Sequence, residues 1–447
     1  MRKHGRICMH CLLAALLFVL FVSSAFSATI LDGAVWFERE VGQGIVWRYY
    51  QFDNLFSAKQ SVSYAEVDLS HTSVTLSLKY RDSWVGPAPA LDSPDYPRAL
   101  TSVMAPEMPN AKVAVNGTYF NTASYDPANP TVPWGGGNTY LKVDGTVIHT
   151  FDGTNVNRYT MGILFNNTSD LAIALKPGSG GWAGIESSWA NMMICGPILL
   201  NGGVVETYAP DNDHANARHP RTAVGITATN KLILLTADGR TDDAAGMSCT
   251  ELANVMLALG CVNAINLDGG GSTTLWAAGE PYNGIVNYPC DNAAYDHLGE
   301  RRCANVLVAA SDAPTPVEWD GRLTNLTYPS LTRSNQLVEV TATYTNIGTE
   351  TWTTSNVKIA PSRSFGRVSA FIPAGQEDTF FTMTPSSVAT GQTATFTLNL
   401  TAPLVAADTN YIENFVLWHT TEGWFGPADN ELRVRVNVRP PLEGPAM

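Results

Sequence analysis

The sequence predicts an α+β protein in two parts: a β-rich, mixed-sheet domain with few helices, followed by a C-terminal β-sandwich. Three observations carry this. β-branched and apolar segments ending at Gly, Asn or Asp recur through the first three hundred residues. One stretch there has helical periodicity with both caps. After residue 320 the chain continues in short alternating segments without a helical pattern. The composition shifts at "SDAPTPVEWDG" (311–321), where two prolines interrupt the apolar pattern of "ANVLVAA". The expected division is a leader at 1–27, a first domain at 28–312, a linker at 313–320 and a second domain at 321–447.

The leader comes first. Arg2, Lys3 and Arg6 precede the apolar run from Leu12 to Val22, and Ala25, Phe26 and Ser27 offer small residues for cleavage. This reads as a secretory signal peptide removed near Ser27, because the run is short for a retained span. The mature chain is then secreted, periplasmic or extracellular, with no other segment able to cross a bilayer. A net charge of -13 without a long basic run argues against a nucleic-acid partner. Five cysteines remain after the leader: Cys195, Cys249, Cys261, Cys290 and Cys303. An odd number leaves at least one unpaired. Cys290 and Cys303 flank a polar loop and are the expected disulfide. Cys249 and Cys261 bracket a helix too long for them to bridge, and no Cys/His spacing resembles a zinc site.

Strands are expected at "VSYAEVDL", "KVAVNGTYF", "RTAVGITA", "KLILLTADG" and "VNAINLDGGG". The helix is "SCTELANVMLALG". Ser248 and Glu251 form an S-x-x-E capping box, Leu252, Val255, Met256 and Leu259 share a face, and Gly260 supplies the stop. It feeds the strand "VNAINL", which delivers Asp268 at its end.

"NLDGGGSTTL" carries the chemistry most open to question. A phosphate-binding P-loop requires Lys before its Ser/Thr, and here Gly271 precedes Ser272. A dinucleotide fingerprint requires a glycine opening a helix, but "TTLWAA" reads as strand. A glycine turn remains. Backbone amides of Gly269, Gly270 and Gly271 would form an anion-accepting nest with Asp268 at its rim, or Asp268 simply caps a hairpin. Three consecutive glycines exceed what a turn requires. Asn116, Arg221 and Asp238 lie at strand ends in the same manner, and strands of shared direction would bring them to one face. Singly, each also reads as a turn residue. Glu300 and Arg301 precede the first domain's last strand, either as a solvated charge run or as the second carboxylate of an acid/base pair. His214 and His219 lie in a polar loop and read as loop residues. No cofactor is required, though Asp238, Asp268 and Asn116 are hard oxygen donors of the kind calcium takes.

These residues bear a resemblance. "VNGTYF", "CGPILLNGG", "HPRTAVGI", "TADGR", "TELANVMLALGCVNAINLDGGGSTTL" and "GERRCANVLV" resemble, in order and over roughly two hundred residues, blocks of the phosphodiester glycosidase family. The family includes enzymes acting on N-acetylglucosamine-1-phosphodiesters and bacterial relatives associated with exopolysaccharide. It departs from that pattern at Cys303, where a small or apolar residue is expected, and at Asn121, where an aspartate is expected. The resemblance implies hydrolysis between a sugar anomeric carbon and a phosphodiester. Gly269 to Gly271, with Arg221, would hold phosphate, and Ser272 and Arg301 would help bind substrate; Asp268 or Glu300 would act on the sugar carbon or water; Asn116 and Asp238 would bind sugar hydroxyls, with Asp238 counted among the catalytic carboxylates. The rivals are a non-catalytic exopolysaccharide-binding protein and a glycosidase for ordinary glycosides. Beyond the linker, "YTNIGTETW" and "NFVLWHTTEGWFG", with Trp319, Trp352, Trp418 and Trp424, resemble four-tryptophan immunoglobulin-like domains. That implies a sandwich with tryptophans in its core and an accessory role, docking to glycan or protein.

Overall fold

The computed structural model describes residues 29–442 apart from 123, 125, 151–159, 176–181, 183–184, 363–367, 374–375, 377–379 and 429–430. The leader lies outside the described residues. Among those described, no helix is long and apolar enough to cross a membrane.

The first region is built from three sheets. The largest has the spatial order Phe37–Gly42, Ile45–Leu55, Ala58–Asp68, Lys231–Ala237, Arg221–Thr227, Cys261–Asn266, Ile198–Asn201, Val204–Val205. A four-stranded sheet runs Leu275–Ala277, Ala111–Asn116, Asn305–Ala310, Thr75–Tyr80, and a five-stranded sheet includes Met161–Asn167 and Asn191–Cys195. One apolar core joins all three: Trp47, Leu234 and Ile265 from the first, Val115 and Leu307 from the second, Ile163 and Met193 from the third. Full burial of each such side chain contributes about 1.5–3 kcal/mol.

The expectation of mixed sheets is corrected here, because the named strand pairs of this region are antiparallel. Polar strand ends still converge, for a different reason. Arg221–Thr227 is flanked by Lys231–Ala237 and Cys261–Asn266, each antiparallel to it. Its first residue therefore lies beside the last residues of both neighbours. Arg221, Asp238 and Asp268 accordingly meet at one sheet edge.

The helix forms at Cys249–Ala258, with both halves of the Ser248–Glu251 capping box made. Its apolar face buries Leu252, Val255 and Met256 against the largest sheet. The expected Cys290–Cys303 disulfide is absent, and the five cysteines described are buried thiols. Cys303 is fixed by two backbone hydrogen bonds to Ala99, its thiol directed to the Arg301 carbonyl at 3.5 Å. Cys290 instead bridges Gly299 and lies by Arg240, so the loop between them is closed by backbone pairing.

The elements described in the second region are all strands. The path Gly321–Thr327, Leu337–Asn346, Thr393–Thr401, Phe381–Thr384 continues into Val357–Pro361, Thr409–His419, Leu432–Arg439 and Leu331–Arg333. Alternate residues of Leu337–Asn346, Thr393–Thr401 and Leu432–Arg439 are buried, and both halves of the path feed one core. The sheet is thus folded over on itself. Of the four tryptophans expected in that core, Trp352 is fully buried, while Trp319, Trp418 and Trp424 are half-buried.

The two regions are joined by charge and ring contacts. Arg39 donates to Glu280 at 2.8 and 3.0 Å and to Asp320 at 2.5 Å. Asp243 pairs with Arg433 at 3.2 Å and with Arg435 at 2.5 Å. The 313–320 segment is held rather than loose, since Thr315 N donates to Glu40 at 3.0 Å and Asp320 receives Arg39.

Candidate active site

The strand Cys261–Asn266 ends in a turn that the chain ties down from several directions. Asp268 is half-buried, and its Oδ1 accepts from Gly269 N at 2.9 Å. Its own amide donates to Gly117 O at 3.0 Å. Asn116, fully buried, grips both ends of the turn: its Nδ2 donates to the Asp268 carbonyl at 2.8 Å, and its Oδ1 accepts from Thr274 N at 3.0 Å and Thr222 Oγ1 at 2.6 Å. Its amide is occupied in positioning the turn, so the geometry does not present it to sugar hydroxyls.

The three glycines have separate reasons. A Cβ on Gly269 would lie 2.7 Å from Pro220 O. Gly270 has φ +62, and a Cβ there would lie 3.1 Å from both terminal nitrogens of Arg240. On Gly271 it would fall 1.7 Å from Asp291 Oδ1 and 2.4 Å from Arg301 Nη2. Each glycine thus admits a different neighbour to the backbone. The amide-nest expectation changes accordingly. Gly269 N is committed to Asp268 and Gly270 N to Pro220 O at 2.9 Å, so positive charge at the turn comes chiefly from side chains.

Those side chains are Arg240 and Arg301. Arg240 is exposed, with φ +63, and its Nη2 lies 3.4 Å from His219 Nδ1. Burial and the nearby Arg221 and Arg240 push the His219 imidazole below its ordinary value, favouring the neutral ring. Arg301 is held by two hydrogen bonds to Asp291, both 2.6 Å, and lies within the field of Asp268. Sequence reasoning missed Arg240. It follows an ordinary Asp-Gly pair, and the left-handed backbone that aims it at the turn leaves no mark in the residue pattern.

Arg221 takes another role than expected. It is 1% exposed, with Nε donating to Met247 O at 2.9 Å and Nη2 to His214 O at 2.6 Å and Ala217 O at 2.9 Å. It therefore fixes the loop carrying His214. His214 Nε2 lies 2.9 Å from Tyr119 OH, which donates to Gly196 O at 2.7 Å. A phenol has one proton and a carbonyl only accepts, so Nε2 of His214 is the protonated nitrogen in this contact. Tyr119 also accepts from Asn266 Nδ2 at 3.2 Å and feels the Asp268 charge. Burial, followed by nearby negative groups, keeps its phenol well above the ordinary value. Read from sequence as a loop histidine, His214 is brought beside the site by Arg221.

Two carboxylates lie behind this surface. Asp238 is 1% exposed and accepts from Ser61 Oγ at 2.6 Å, Asn287 Nδ2 at 2.9 Å and Tyr288 N at 2.9 Å. Burial pushes it up to about 6. Asn287 in turn donates to Thr273 O at 3.1 Å and accepts from Leu275 N at 2.8 Å, so Asp238 supports the exit of the turn. Glu300 receives Ser102 N at 2.9 Å and Ser102 Oγ at 2.7 Å, one contact on each oxygen, and thereby caps the short helix Thr101–Met104. Burial raises its carboxyl. The Asp238 and Asn116 oxygens, read from sequence as hard donors, here accept hydrogen bonds from the protein. No group of three His, Cys, Asp or Glu suited to a metal occurs among the described residues. Ser272 is fully buried, its hydroxyl without a hydrogen-bond partner among the described residues.

Residues 109–310 match the family model of phosphodiester glycosidases. Over 112 residues the chain is 41% identical to N-acetylglucosamine-1-phosphodiester alpha-N-acetylglucosaminidase of Bos taurus, covering 25% of this chain and 20% of that protein. Over 70 residues it is 37% identical to the SPbeta prophage-derived protein YomE of Bacillus subtilis, covering 16% of this chain and 11% of that protein. The chain thus spans about a fifth or less of the length of these curated relatives. Among solved structures, the zebrafish N-acetylglucosamine-1-phosphodiester alpha-N-acetylglucosaminidase catalytic domain, auto-inhibited by its pro-peptide, is 23% identical. That alignment covers 64% of this chain and 86% of the other, with a TM-score of 0.40.

Proposed function

Taking the match of residues 109–310 to phosphodiester glycosidases as the premise, we propose that this chain is a hydrolase of glycosyl-1-phosphodiesters, of the N-acetylglucosamine-1-phosphodiester kind. One observation carries the reading: the half-buried Asp268 stands at a turn whose next residues are approached by two guanidinium groups, Arg240 and Arg301. A carboxylate beside the exposed Arg240 cation, with Arg301 held next to it by Asp291, suits a substrate with a sugar carbon that becomes positive and a phosphate that becomes more negative.

The C1–O bond breaks with its electron pair passing to the phosphate oxygen. Arg240 and Arg301 stabilise that charge, as bidentate donors do for phosphate. Asp268 stabilises the oxocarbenium-like carbon, and a water oxygen then bonds to C1 with its proton released. The products are a free sugar and a phosphomonoester. A phosphate leaves readily, so anion stabilisation outweighs acid assistance. No step passes through a metal, and retention of activity in chelator is the expected result. The proposal includes export, on the basic start and apolar run of the first 27 residues, and an accessory role for the second region as an immunoglobulin-like sandwich.

The test is release of reducing sugar from a set of sugar-1-phosphodiesters, compared with aryl glycosides of the same sugars. Asp268→Asn should lower turnover at least a thousandfold with an unchanged melting curve. Near-normal activity in that variant sinks the assignment. Equal hydrolysis of aryl glycosides points to an ordinary glycosidase, and binding without release points to an exopolysaccharide-binding protein.

A further inference from the structure

A cavity of about 280 Å³ lies at the junction of the two regions, lined from one side by Tyr282, Tyr295 and His297 and from the other by Tyr328, Glu431 and Arg433. It is just below the range of about 300–1,000 Å³ typical of small-molecule pockets. One wall is a continuous stack. Tyr282 lies on His297 at 4.7 Å, His297 on Tyr288 at 4.4 Å, and Tyr288 on Tyr295 at 3.8 Å, with Arg433 over Tyr295 at 4.6 Å. Such packing fixes the wall's shape before any ligand enters.

Polar side chains from both regions line this space, among them Asp296, Glu431 and Arg433. Glu431 is 3% exposed, and its Oε2 has no hydrogen-bond partner among the described residues; the same holds for Arg433 Nε. A buried acceptor and a buried donor left open beside an aromatic wall are costly unless something satisfies them.

Charge narrows what that is. Arg433 and Arg435 are both paired with Asp243. Burial pushes the Glu431 carboxyl up to about 8 and the His297 imidazole down to about 4, so both are uncharged near neutral pH. His297 Nδ1 lies 2.7 Å from the Asn287 carbonyl, which only accepts, so Nε2 turns a lone pair toward Glu431 Oε1 at 3.6 Å. The cavity thus offers aromatic surface, hydroxyls and directed hydrogen bonds, and the two guanidiniums of its lining are matched by the carboxylates of Asp243 and Asp296, so no net charge singles out a phosphate or an amine. A sugar ring has that combination, with apolar C–H faces and a hydroxyl rim.

We propose that this junction cavity is a second carbohydrate site, taking one neutral pyranose unit of a glycan, separate from the Asp268 site and independent of its chemistry. Tyr328 and Tyr282 supply aromatic contact, and the Glu431 and Arg433 side chains bond the ring hydroxyls.

The test uses the full chain carrying Asp268→Asn. Glucose, galactose, mannose and N-acetylglucosamine are titrated singly by calorimetry and by saturation-transfer NMR, with inorganic phosphate and ethanolamine as charged probes. Saturable binding of at least one sugar is expected, weakened at least tenfold by Tyr328→Ala and by Glu431→Ala, and unchanged by Arg240→Ala. Tyr328 is half-buried, so its truncation leaves a folded protein to measure even if Glu431→Ala does not fold. The proposal is overturned if no sugar binds, if binding survives Tyr328→Ala unchanged, or if phosphate or ethanolamine binds there in place of the sugars. Because the readout is binding, failure of the hydrolase reading leaves this outcome interpretable.

Discussion

At the scale of single residues, two arginines separate support from chemistry. Arg240 is exposed beside Gly270, whereas Arg221 is buried among backbone carbonyls. Arg240→Ala is therefore expected to reduce kcat/KM by about 10²–10³, the range for losing one preorganised donor to a developing anion, with stability unchanged. Arg221→Ala should instead lower the melting temperature, because it strands the His214 and Ala217 carbonyls and leaves Met247 O with His219 N alone. The reverse pattern would exchange their roles. Asp238 has its own signature. Burial raises it from the ordinary aspartate value near 4 to about 6. Its protonated form is thus favoured by folding, and that contribution fades as pH climbs through this window. Relative to Asp238→Asn, the wild type should lose up to about 3 kcal/mol between pH 4 and 7. Parallel urea-unfolding free energies across that range would refute it. None of these distinctions was legible in the sequence, because Arg221, Asp238 and Asn116 occupy the same kind of strand-end position as Asp268. Which side chain faces solvent and which turns inward is decided by neighbours far away in the chain.

At the scale of elements, more was legible. The helix, its capping box and the strand leading to Asp268 follow from periodicity and cap residues, which are local. Strand direction was not, since antiparallel order depends on how distant segments pair. The glycine run was correctly seen as excessive for a turn, but its cause is close approach rather than an open amide nest. That cause can be tested. Gly271→Ala places a methyl against the Asp291–Arg301 pair, and activity should fall at least tenfold. Adding Asp291→Ala removes the clashing oxygen and frees Arg301 to move, so the double variant should recover part of the loss. An unaffected Gly271→Ala enzyme would show that the turn yields without cost. The missing disulfide teaches a similar lesson. Spacing placed Cys290 and Cys303 on the two sides of a loop, but the loop is closed by backbone pairing of Cys290 with Gly299, while Cys303 pairs with the distant Ala99.

At the scale of the molecule, the two regions behave as one body at their junction. Arg39 stands between Glu280 and Asp320, and its side chain is 10% exposed. Burial raises the Asp320 carboxyl, Arg39 opposes that, and Glu280 adds to it. Arg39→Ala would leave two enclosed carboxylates facing each other, a change that typically costs about 3–5 kcal/mol. Calorimetry should show an earlier melt that divides into two transitions. A single melt at the wild-type temperature would mean that the Asp243 ion pairs and the ring contacts suffice to hold the junction.

The side chain of Asn116, tying Asp268 to Thr274, also bears on the thermodynamics of association. A segment anchored at both ends surrenders little backbone freedom when a ligand arrives, because folding has already removed it. Its share of the entropy change on complex formation should be small. Across a series of temperatures, the heat capacity of complex formation would then report buried surface rather than ordering of the loop.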